Sequence, residues 1–237
     1  MHDVGPGAVL ERIAALPGDW HKAGMASDRV LKAMAEECGR RAPLVRTAET
    51  GSGKTTLLFS RLSPKHVVFA LDTGNRSIAA AMESELLDPA RVEFVEGPTQ
   101  RTLPAYEFDG EFDVVLIDGP HAYPFPDLEY FHFYPHVRKG GLLLVDDIHI
   151  PSIRRMFSIL KACDMWRLLR TVDNMAFFER TDAPLFDPYG DGWWLQGYNR
   201  RLYESGFGRR GLSGLLTPRW LRRMVPHPVK RFLSRFI

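Results

Sequence analysis

Residues 48–55 read Ala-Glu-Thr-Gly-Ser-Gly-Lys-Thr, and this glycine-rich turn decides how the chain folds. A strand-like run at 43–48 leads into the turn, and Leu57-Leu58-Phe59 begins a helical pattern after it. Glycines at a strand-to-helix turn allow the backbone to approach a ligand closely. The turn therefore predicts the first β-α unit of an α/β fold, with a ligand at its tip.

Apolar runs alternate with helical patterns along the rest of the chain, which indicates parallel β-α-β units. The predicted strands are 66–71, 91–95, 112–117 and 141–145, and the predicted helices are one N-capped by Ser27, 77–87, 127–136 and 152–162. Two last runs, 166–172 and 175–179, flank a tight Asp173-Asn174 turn and predict a hairpin. The predicted fold is a doubly wound, mostly parallel, seven-stranded Rossmann-like sheet with a C-terminal antiparallel hairpin.

The composition is that of an ordinary globular protein, with 45% hydrophobic and 25% charged residues among 237. It excludes collagen-like, disordered and disulfide-scaffold classes. Cys38 and Cys163 lack the spacing of a zinc or redox site. No apolar run reaches the roughly 18 residues that span a bilayer, and the N-terminus lacks the pattern of a secretory signal. We therefore expect a cytoplasmic protein.

The net charge of +2 conceals two regions of opposite charge. Residues 185–237 carry ten basic and three acidic side chains, a net charge of +7, whereas residues 1–184 carry a net charge of −5. This partition predicts an N-terminal cap segment (1–26), a central domain (27–184) and a basic, aromatic C-terminal extension (185–237).

The glycine-rich turn has two interpretations. In the first it is a phosphate-binding loop, in which Lys54 reaches a nucleotide and Asp118 supplies the magnesium side. Ala48 stands where such loops normally have glycine, and the Glu49 carboxylate would repel a polyphosphate. In the second, Glu49 faces a cationic methyl donor, and Asp72, at the end of the second strand, accepts hydrogen bonds from a ribose. We favour the second interpretation.

Two segments further along the chain carry a resemblance. Ile117-Asp118-Gly119-Pro120-His121-Ala122-Tyr123 follows the fourth strand, and Gly140-Gly141-Leu142-Leu143-Leu144-Val145-Asp146-Asp147 covers the fifth. With the glycine turn, they resemble the catechol-like, metal-dependent O-methyltransferase branch of the class I S-adenosylmethionine-dependent methyltransferases, over about residues 20–181.

The resemblance implies a methyltransferase that acts on a hydroxyl of a small molecule or sugar, with S-adenosylmethionine as donor and possible assistance from Mg²⁺. The implied donor-binding residues are Glu49, Gly51, Ser52, Gly53, Asp72, Thr99, Gln100 and Asp118. The implied metal ligands are Asp118, Asp146 and Asp147, and the implied catalytic residues are Asp118 and His121. Residues 24–27 resemble a segment that closes over the donor. Lys54 and Thr55 depart from the family pattern.

The chemistry of these residues agrees with the implied roles. Three carboxylates at one sheet edge repel one another unless a hard cation such as Mg²⁺ neutralises them. His121 could accept a hydroxyl proton near neutral pH. In the alternatives, Asp146-Asp147 is a turn after a strand and His121 only binds loop backbone. His132 and His149 are interpreted as structural or surface residues. A phosphate-loop enzyme using Lys54 and a donor-binding module without catalysis remain as alternative functions.

The C-terminal extension reads differently from the domain before it. Trp193-Trp194 and Gly206-Phe207-Gly208 suggest a loop or lid. Residues 210–237 interleave basic and apolar side chains, which favours contact with an anionic membrane surface, on the inner face of a membrane, over nucleic acid. Docking on the acidic domain or on a second subunit, in a homo-oligomer, is the alternative. The identity of the acceptor cannot be read from the sequence.

Overall fold

The structure is a computed structural model of the chain, and it describes residues 6–21, 26–72, 74, 76–187 and 190–208. The helices are α1 Pro6–Ala14, α2 Asp28–Gly39, α3 Lys54–Leu62, α4 Ser77–Glu83, α5 Thr99–Ala105, α6 Phe125–Phe133, α7 Pro151–Lys161 and α8 Gly197–Gly208. The strands are β1 Arg46–Thr50, β2 Lys65–Ala70, β3 Val92–Glu96, β4 Phe112–Ile117, β5 Val137–Val145, β6 Trp166–Val172 and β7 Met175–Arg180.

The seven strands form one sheet in the order β3-β2-β1-β4-β5-β7-β6. The first five are parallel, and β7 runs antiparallel to both β5 and β6. This confirms the predicted fold, a mostly parallel Rossmann-like sheet that ends in an antiparallel hairpin. The chain builds β1, β2 and β3 outward and then returns to place β4 beside β1, so a topological switch point lies between β1 and β4.

Helices cover both faces of the sheet because successive strand residues point to opposite sides. Along β4, Val115 and Ile117 join a core with side chains of α6 and α7, whereas Val114 and Leu116 join a core with side chains of α1, α2 and α3. The central strands are therefore buried on both faces, as their continuous apolar runs predict.

Ser27 caps α2 as predicted, since its Oγ accepts a hydrogen bond from the Val30 amide at 3.2 Å. Other boundaries differ from the prediction. The first strand is displaced to Arg46–Thr50 because its polar Thr47 and Glu49 pair with strands on both sides. Helix α4 ends at Glu83 because the following segment turns away, and its carbonyls bind the Arg61 guanidinium. Helices α1, α5 and α8 were not predicted.

The chain divides into two compact units, Met1–Asp191 and Gly192–Ile237. In the second unit, a short turn at Trp193–Leu195 precedes α8. The expectation of a loop or lid at 206–208 is therefore wrong, because these residues end a helix. The Trp193 and Trp194 rings lie edge to face, with centroids 6.1 Å apart. Residues 210–237 lie outside the described residues, and their membrane contact stays a prediction. Among the residues that were described, no helix is both long and apolar enough to cross a bilayer.

Candidate active site at the carboxyl edge of the sheet

The ends of β1 and β4 meet at the switch point through a glycine. Gly51 has a φ of +82°, and a Cβ atom at this position would overlap the Asp118 carbonyl oxygen. Only glycine combines this backbone conformation with so close an approach. The turn after β1 and the residue after β4 are thus packed directly on each other, which brings two predicted site segments together.

Glu49 lies within β1 and not in the turn that the sequence suggested. Its side chain is fully buried, and Oε1 accepts a hydrogen bond from the Thr56 hydroxyl. The Nε2 atom of buried His66 lies 3.3 Å from the same oxygen. The other oxygen, Oε2, has no hydrogen-bond partner among the described residues. A buried carboxylate oxygen without a donor is costly, so Glu49 is suited to receive a donor or a cation from a ligand.

The remainder of the glycine turn is held from both sides. The Gly53 amide donates to Thr56 Oγ1 at 3.0 Å, which fixes the start of α3. A Cβ at Gly53 would come within 3.1 Å of His21 Nε2, so buried His21 packs on the turn. Ser52 Oγ lies 3.5 Å from the Ser77 carbonyl oxygen at the start of α4. The N-terminal segment that carries His21 therefore contacts the predicted donor loop.

Lys54 is engaged away from any phosphate position. Its Nζ atom donates hydrogen bonds to the carbonyl oxygens of Ala14 and Leu16, each at 2.9 Å, and the residue is 5% exposed. These carbonyls belong to the end of α1, where a cation is favoured by the helix dipole. Burial also lowers the pKa of Lys54. The structure gives Lys54 a structural role and contradicts its use as a phosphate-loop lysine.

Asp72 follows β2 as predicted, but its carboxylate also serves the next helix. Oδ1 accepts a hydrogen bond from the Ser77 amide at 3.1 Å, and Oδ2 accepts one from the Ala79 amide at 3.3 Å. The side chain thus satisfies amides in the first turn of α4. It is half-buried, and its role toward a ribose stays a prediction.

Thr99 and Gln100 begin α5 and are not in an irregular loop. Thr99 is buried, whereas Gln100 is exposed. The two residues therefore point into different surroundings, and only Gln100 presents its side chain to solvent. Their predicted contact with an adenine is not tested by this arrangement.

Three predicted site residues converge at the ends of β4 and β5. His121 Nε2 lies 3.1 Å from Asp147 Oδ2 and 3.9 Å from Asp118 Oδ1. One ligand atom from each of the three lies within 4.8 Å of the others, the spacing of a candidate metal site. The interaction with Asp118 and the charge of Asp147 raise the pKa of His121, against the effect of burial. An imidazole and two carboxylates therefore lie together at the carboxyl edge of the sheet.

Asp118 is electrostatically unfavourable in its charged form. Burial and the carboxylates of Asp146, Asp147 and Glu49 raise its pKa to about 7, although the contact with His121 acts in the opposite direction. Like charges at short range favour the protonated acid. The predicted repulsion among carboxylates at this edge is thus present.

Asp146 stands apart from the geometric cluster. Its Oδ1 accepts a hydrogen bond from the Asp147 amide at 2.8 Å, which matches the alternative of a turn after the strand. Burial raises its pKa. His121 takes the third place of the cluster, which the sequence had given to Asp146. Asp146 as a metal ligand remains a prediction.

Sequence reasoning left His149 as a structural or surface residue, but the structure places it at the site. Its Nδ1 lies 3.5 Å from Asp147 Oδ1, whereas His121 contacts the other carboxylate oxygen, Oδ2. Asp147 itself has a φ of +54°, a conformation that is uncommon for a residue other than glycine. The sequence signal that could have identified His149 as a site residue was its position, two residues after the predicted ligand Asp147.

Sequence reasoning also missed Glu129 on α6, which is fully buried. Burial raises its pKa to about 7, although the hydroxyls of Thr99 and Thr50 act against that rise. Pro126, Glu129 and Phe133 form the buried positions of the helix, and their spacing places one charge on an apolar face. An acidic residue on an otherwise apolar helix face was the sequence signal that could have identified Glu129.

Comparison with known proteins identifies the domain that contains this edge. Residues 48–148, from β1 to the cluster after β5, match the family model described as "Methyltransferase domain". The chain carries a methyltransferase domain. This match and the fold support the class I, S-adenosylmethionine-dependent methyltransferase that the resemblance predicted. No curated protein matches the sequence.

Solved structures share the fold of this methyltransferase at low sequence identity. The O-methyltransferase from Bacillus cereus in complex with SAH is 20% identical, with a TM-score of 0.53, and the match covers 74% of this chain and 90% of that one. For TomG from Streptomyces achromogenes, an O-methyltransferase of tomaymycin synthesis in complex with SAM, the values are 18%, 0.55, 73% and 89%. MycE of the mycinamycin pathway, with Mg, SAH and mycinamycin VI, is 18% identical, with a TM-score of 0.51, covering 78% of this chain and 57% of that chain.

The methyltransferase site offers what the donor and a cation require. The unpartnered Glu49 Oε2 suits a cationic ammonium group, and the glycine turn leaves the backbone open to close approach. At the cluster, Asp118 and Asp147 supply oxygen ligands for a cation, and His121 lies beside them with its Nε2 atom as a base. A divalent cation would remove the repulsion that raises the pKa of Asp118. The residues therefore fit both groups.

Proposed function

We propose that this protein transfers a methyl group from S-adenosylmethionine to a hydroxyl of a small molecule or sugar, with assistance from Mg²⁺. One observation carries the proposal: the Asp118, His121 and Asp147 cluster adjoins the donor loop, because Gly51 packs on the Asp118 carbonyl. A site for deprotonating a hydroxyl and a site for a methyl donor would then share one opening.

When bound, S-adenosylmethionine supplies a methyl group on a positively charged sulfur, and a divalent cation makes an acceptor hydroxyl more acidic. Glu49, buried beneath the glycine turn with Oε2 unpartnered, would attract the ammonium end of the donor by its charge. Its other oxygen is fixed by the Thr56 hydroxyl, so the carboxylate is oriented before the ligand arrives. Asp72 would accept hydrogen bonds from the ribose hydroxyls at the end of β2.

The cluster would hold the acceptor. Asp118 and Asp147 orient the cation and, through it, the hydroxyl toward the donor. His121, 43% exposed at its side chain, is the group that would accept the hydroxyl proton at Nε2. Its pKa is raised by Asp118 and Asp147, which makes it a stronger base close to neutral pH. His149 would orient Asp147 through its other carboxylate oxygen, Oδ1.

The solved structures support the proposal by analogy only. TomG is described in complex with SAM, and MycE with Mg and SAH. Both share the fold of this chain at 18% identity, so their ligands suggest donor and cation for this protein without establishing them.

Calorimetric titration with SAH and with Mg²⁺ tests the two binding sites separately, and release of SAH over a panel of phenols, catechols and sugars tests transfer. We expect SAH binding that is lost in Glu49→Gln. We expect cation binding that weakens at least tenfold in Asp147→Asn. Asp88→Asn is the control, because Asp88 is an acid paired with Arg91 outside the site. Absence of SAH binding would contradict the proposed donor, and equal Mg²⁺ binding in Asp147→Asn would contradict the metal.

His121→Asn separates the enzyme from a donor-binding module without catalysis. A general base that is lost reduces transfer by roughly 10²-fold or more while donor binding persists. Transfer that is unaffected in His121→Asn would remove the proposed base. Asp146→Asn resolves the ligand set: weakened cation binding would retain Asp146 among the ligands, and unchanged binding would leave Asp118 and Asp147 as the carboxylate ligands.

A further inference from the structure

Glu129 is a buried carboxyl group with no assigned role in methyl transfer. It projects from α6 into the domain and is fully inaccessible to solvent. Within the described part of the chain, no arginine or lysine forms an ion pair with it. An uncompensated acid in a protein interior is costly, and its retention calls for a contribution that an apolar side chain could not make.

The first contact of Glu129 reaches the ends of two strands. The Thr50 hydroxyl donates a hydrogen bond to Glu129 Oε2 at 2.8 Å. The same hydroxyl accepts one from the Asp118 amide at 2.9 Å. Because a hydroxyl has one proton to donate, the acceptor at Glu129 fixes its orientation toward the Asp118 amide. A short relay thus connects α6 with the last residue of β1 and the first residue after β4.

The second contact is with the backbone of the loop after β4. A Cβ atom at Gly119 would overlap both carboxylate oxygens of Glu129. The carboxyl group therefore packs directly against Gly119, between the cluster residues Asp118 and His121. Any larger residue at Gly119 would have to displace the Glu129 carboxyl group.

The third contact is with the segment after β3. The hydroxyl of buried Thr99, at the start of α5, is near enough to oppose the burial-driven rise of the Glu129 pKa, but no hydrogen bond joins the two side chains. Glu129 thereby contacts the end of β1 and the β4–α6 loop and lies near the start of α5. The first and third flank the predicted donor site, and the second carries the predicted catalytic cluster.

We propose that Glu129 is a positioning residue for the methyl donor, which holds Thr50, the 118–119 backbone and Thr99 in the arrangement that binds S-adenosylmethionine. Glu129 touches neither donor nor acceptor and acts through Thr50 and the loop. The inference rests on the proposed donor site. It adds Glu129 as a buried residue that holds the segments of that site in place.

Affinity for SAH and backbone amide hydrogen exchange test the role together. In Glu129→Leu, which keeps the volume and removes the acceptor, we expect the Kd for SAH to rise about tenfold or more. We expect Glu129→Gln, which keeps an acceptor oxygen for Thr50, to stay within about threefold of the wild type. Glu37→Leu is the matched control, because Glu37 is also buried, on α2, but is paired with Arg41. It should lower Tm without changing the Kd.

A double-mutant cycle isolates the relay. Thr50→Val removes the hydroxyl at constant shape, and Thr50→Ser keeps it. If Glu129 acts through Thr50, Thr50→Val weakens SAH binding, Thr50→Ser does not, and Thr50→Val combined with Glu129→Leu is no weaker than the worse single variant. Fully additive losses would overturn the relay. So would a wild-type Kd in Thr50→Val, which decides the matter even if Glu129→Leu fails to fold.

Hydrogen exchange separates this inference from the donor assignment. With no ligand present, the Asp118 and Gly119 amides should exchange at least tenfold faster in Glu129→Leu and in Thr50→Val than in the wild type. In Glu37→Leu they should exchange at the wild-type rate. Unchanged exchange in both Glu129→Leu and Thr50→Val overturns the positioning role. Absence of SAH binding to the wild type would instead overturn the proposed function.

Discussion

The two ends of β4 each carry an aspartate, and the two have opposite surroundings. Asp113, at the amino end, accepts hydrogen bonds from the Val45 and Arg46 amides at 2.6 and 2.9 Å and from the Arg138 guanidinium. Those donors outweigh burial and lower the pKa of Asp113. Asp118, just beyond the carboxyl end, lies among other carboxylates, and burial together with their charges raises its pKa to about 7.

The comparison indicates that Asp113 stabilises the fold, whereas Asp118 is available to bind a ligand. Where a charge serves stability, the chain surrounds it with donors, as it does for Asp113. At Asp118 the described charged neighbours are further acids and an imidazole, an arrangement that costs stability in the absence of a ligand. The cost is accounted for if a cation or a cationic donor binds there.

The largest expected effect is on ligand binding at the carboxyl end. Asp118→Asn should weaken Mg²⁺ binding by about a hundredfold and reduce methyl transfer by at least as much, because it removes a charged ligand from the cluster. Asp113→Asn should leave both unchanged in folded protein. Titration with Mg²⁺ and SAH release measure the two effects. Equal losses in the two variants would show that Asp118 has no special role.

The second expected effect is on stability and donor binding, and it concerns one glycine near each end of β4. Gly51→Ala forces a side chain into the Asp118 carbonyl at a φ of +82° and should destabilise the fold by roughly 2 kcal/mol or more and abolish SAH binding. Gly141→Ala would bring a Cβ within 2.9 Å of the Asp113 and Arg138 carbonyls. It should lower stability but spare the Kd for SAH of the folded fraction. Denaturant unfolding and calorimetry distinguish them, and SAH binding to Gly51→Ala would contradict the placement of the donor.

A third, smaller effect is on stability at the amino end. Asp113→Asn loses charge-assisted hydrogen bonds to two amides and to Arg138, and should lower the free energy of unfolding by about 2 kcal/mol. Urea unfolding at pH 7 measures it. Asp118→Asn serves as the comparison and should be neutral or stabilising, since it removes a repelled charge. A more destabilised Asp118→Asn would reverse the assignment of the two ends.

The order of the elements could be predicted from sequence because their patterns are local. The apolar run at Phe112–Ile117 and the hairpin strand Trp166–Val172 agree with the structure at both ends. Strand β1 could not be placed well, because Thr47, Glu49 and Thr50 are polar but fully buried. Their burial depends on partners such as His66 and Glu129, which lie far away in sequence.

The candidate site shows the same limit. Asp118, His121 and Asp147 were predictable because strand ends converge at one edge of a parallel sheet. That His121, and not Asp146, completes the cluster with Asp118 and Asp147 depends on side-chain placement, which residue type does not disclose. Glu129 required knowledge of which helix face is buried and what lies beneath it. Tertiary contacts, and not local pattern, decide these positions.

The last expected effect is a pH dependence of stability, which has opposite signs at the two ends of β4. The pKa of Asp118 is raised from 3.8 to about 7. The native state therefore binds the proton more tightly than the unfolded state does, and the contribution of Asp118 to stability is lost as the pH rises from about 4 to 7. The pKa of Asp113 is lowered, so its contribution is present above about pH 4 and is lost as the pH falls further.

Unfolding free energies between pH 3 and 8 test this pair of signs. The stability of the wild type relative to Asp118→Asn should fall between pH 4 and 7, whereas its stability relative to Asp113→Asn should fall only on the acid side, below about pH 4. Added Mg²⁺ should oppose the loss for Asp118 at pH 7 and above, because a bound cation favours the charged carboxylate and the native state together. A flat difference between the wild type and Asp118→Asn would mean that the neighbouring acids do not repel Asp118. A difference that is flat only with Mg²⁺ would place the cation among them.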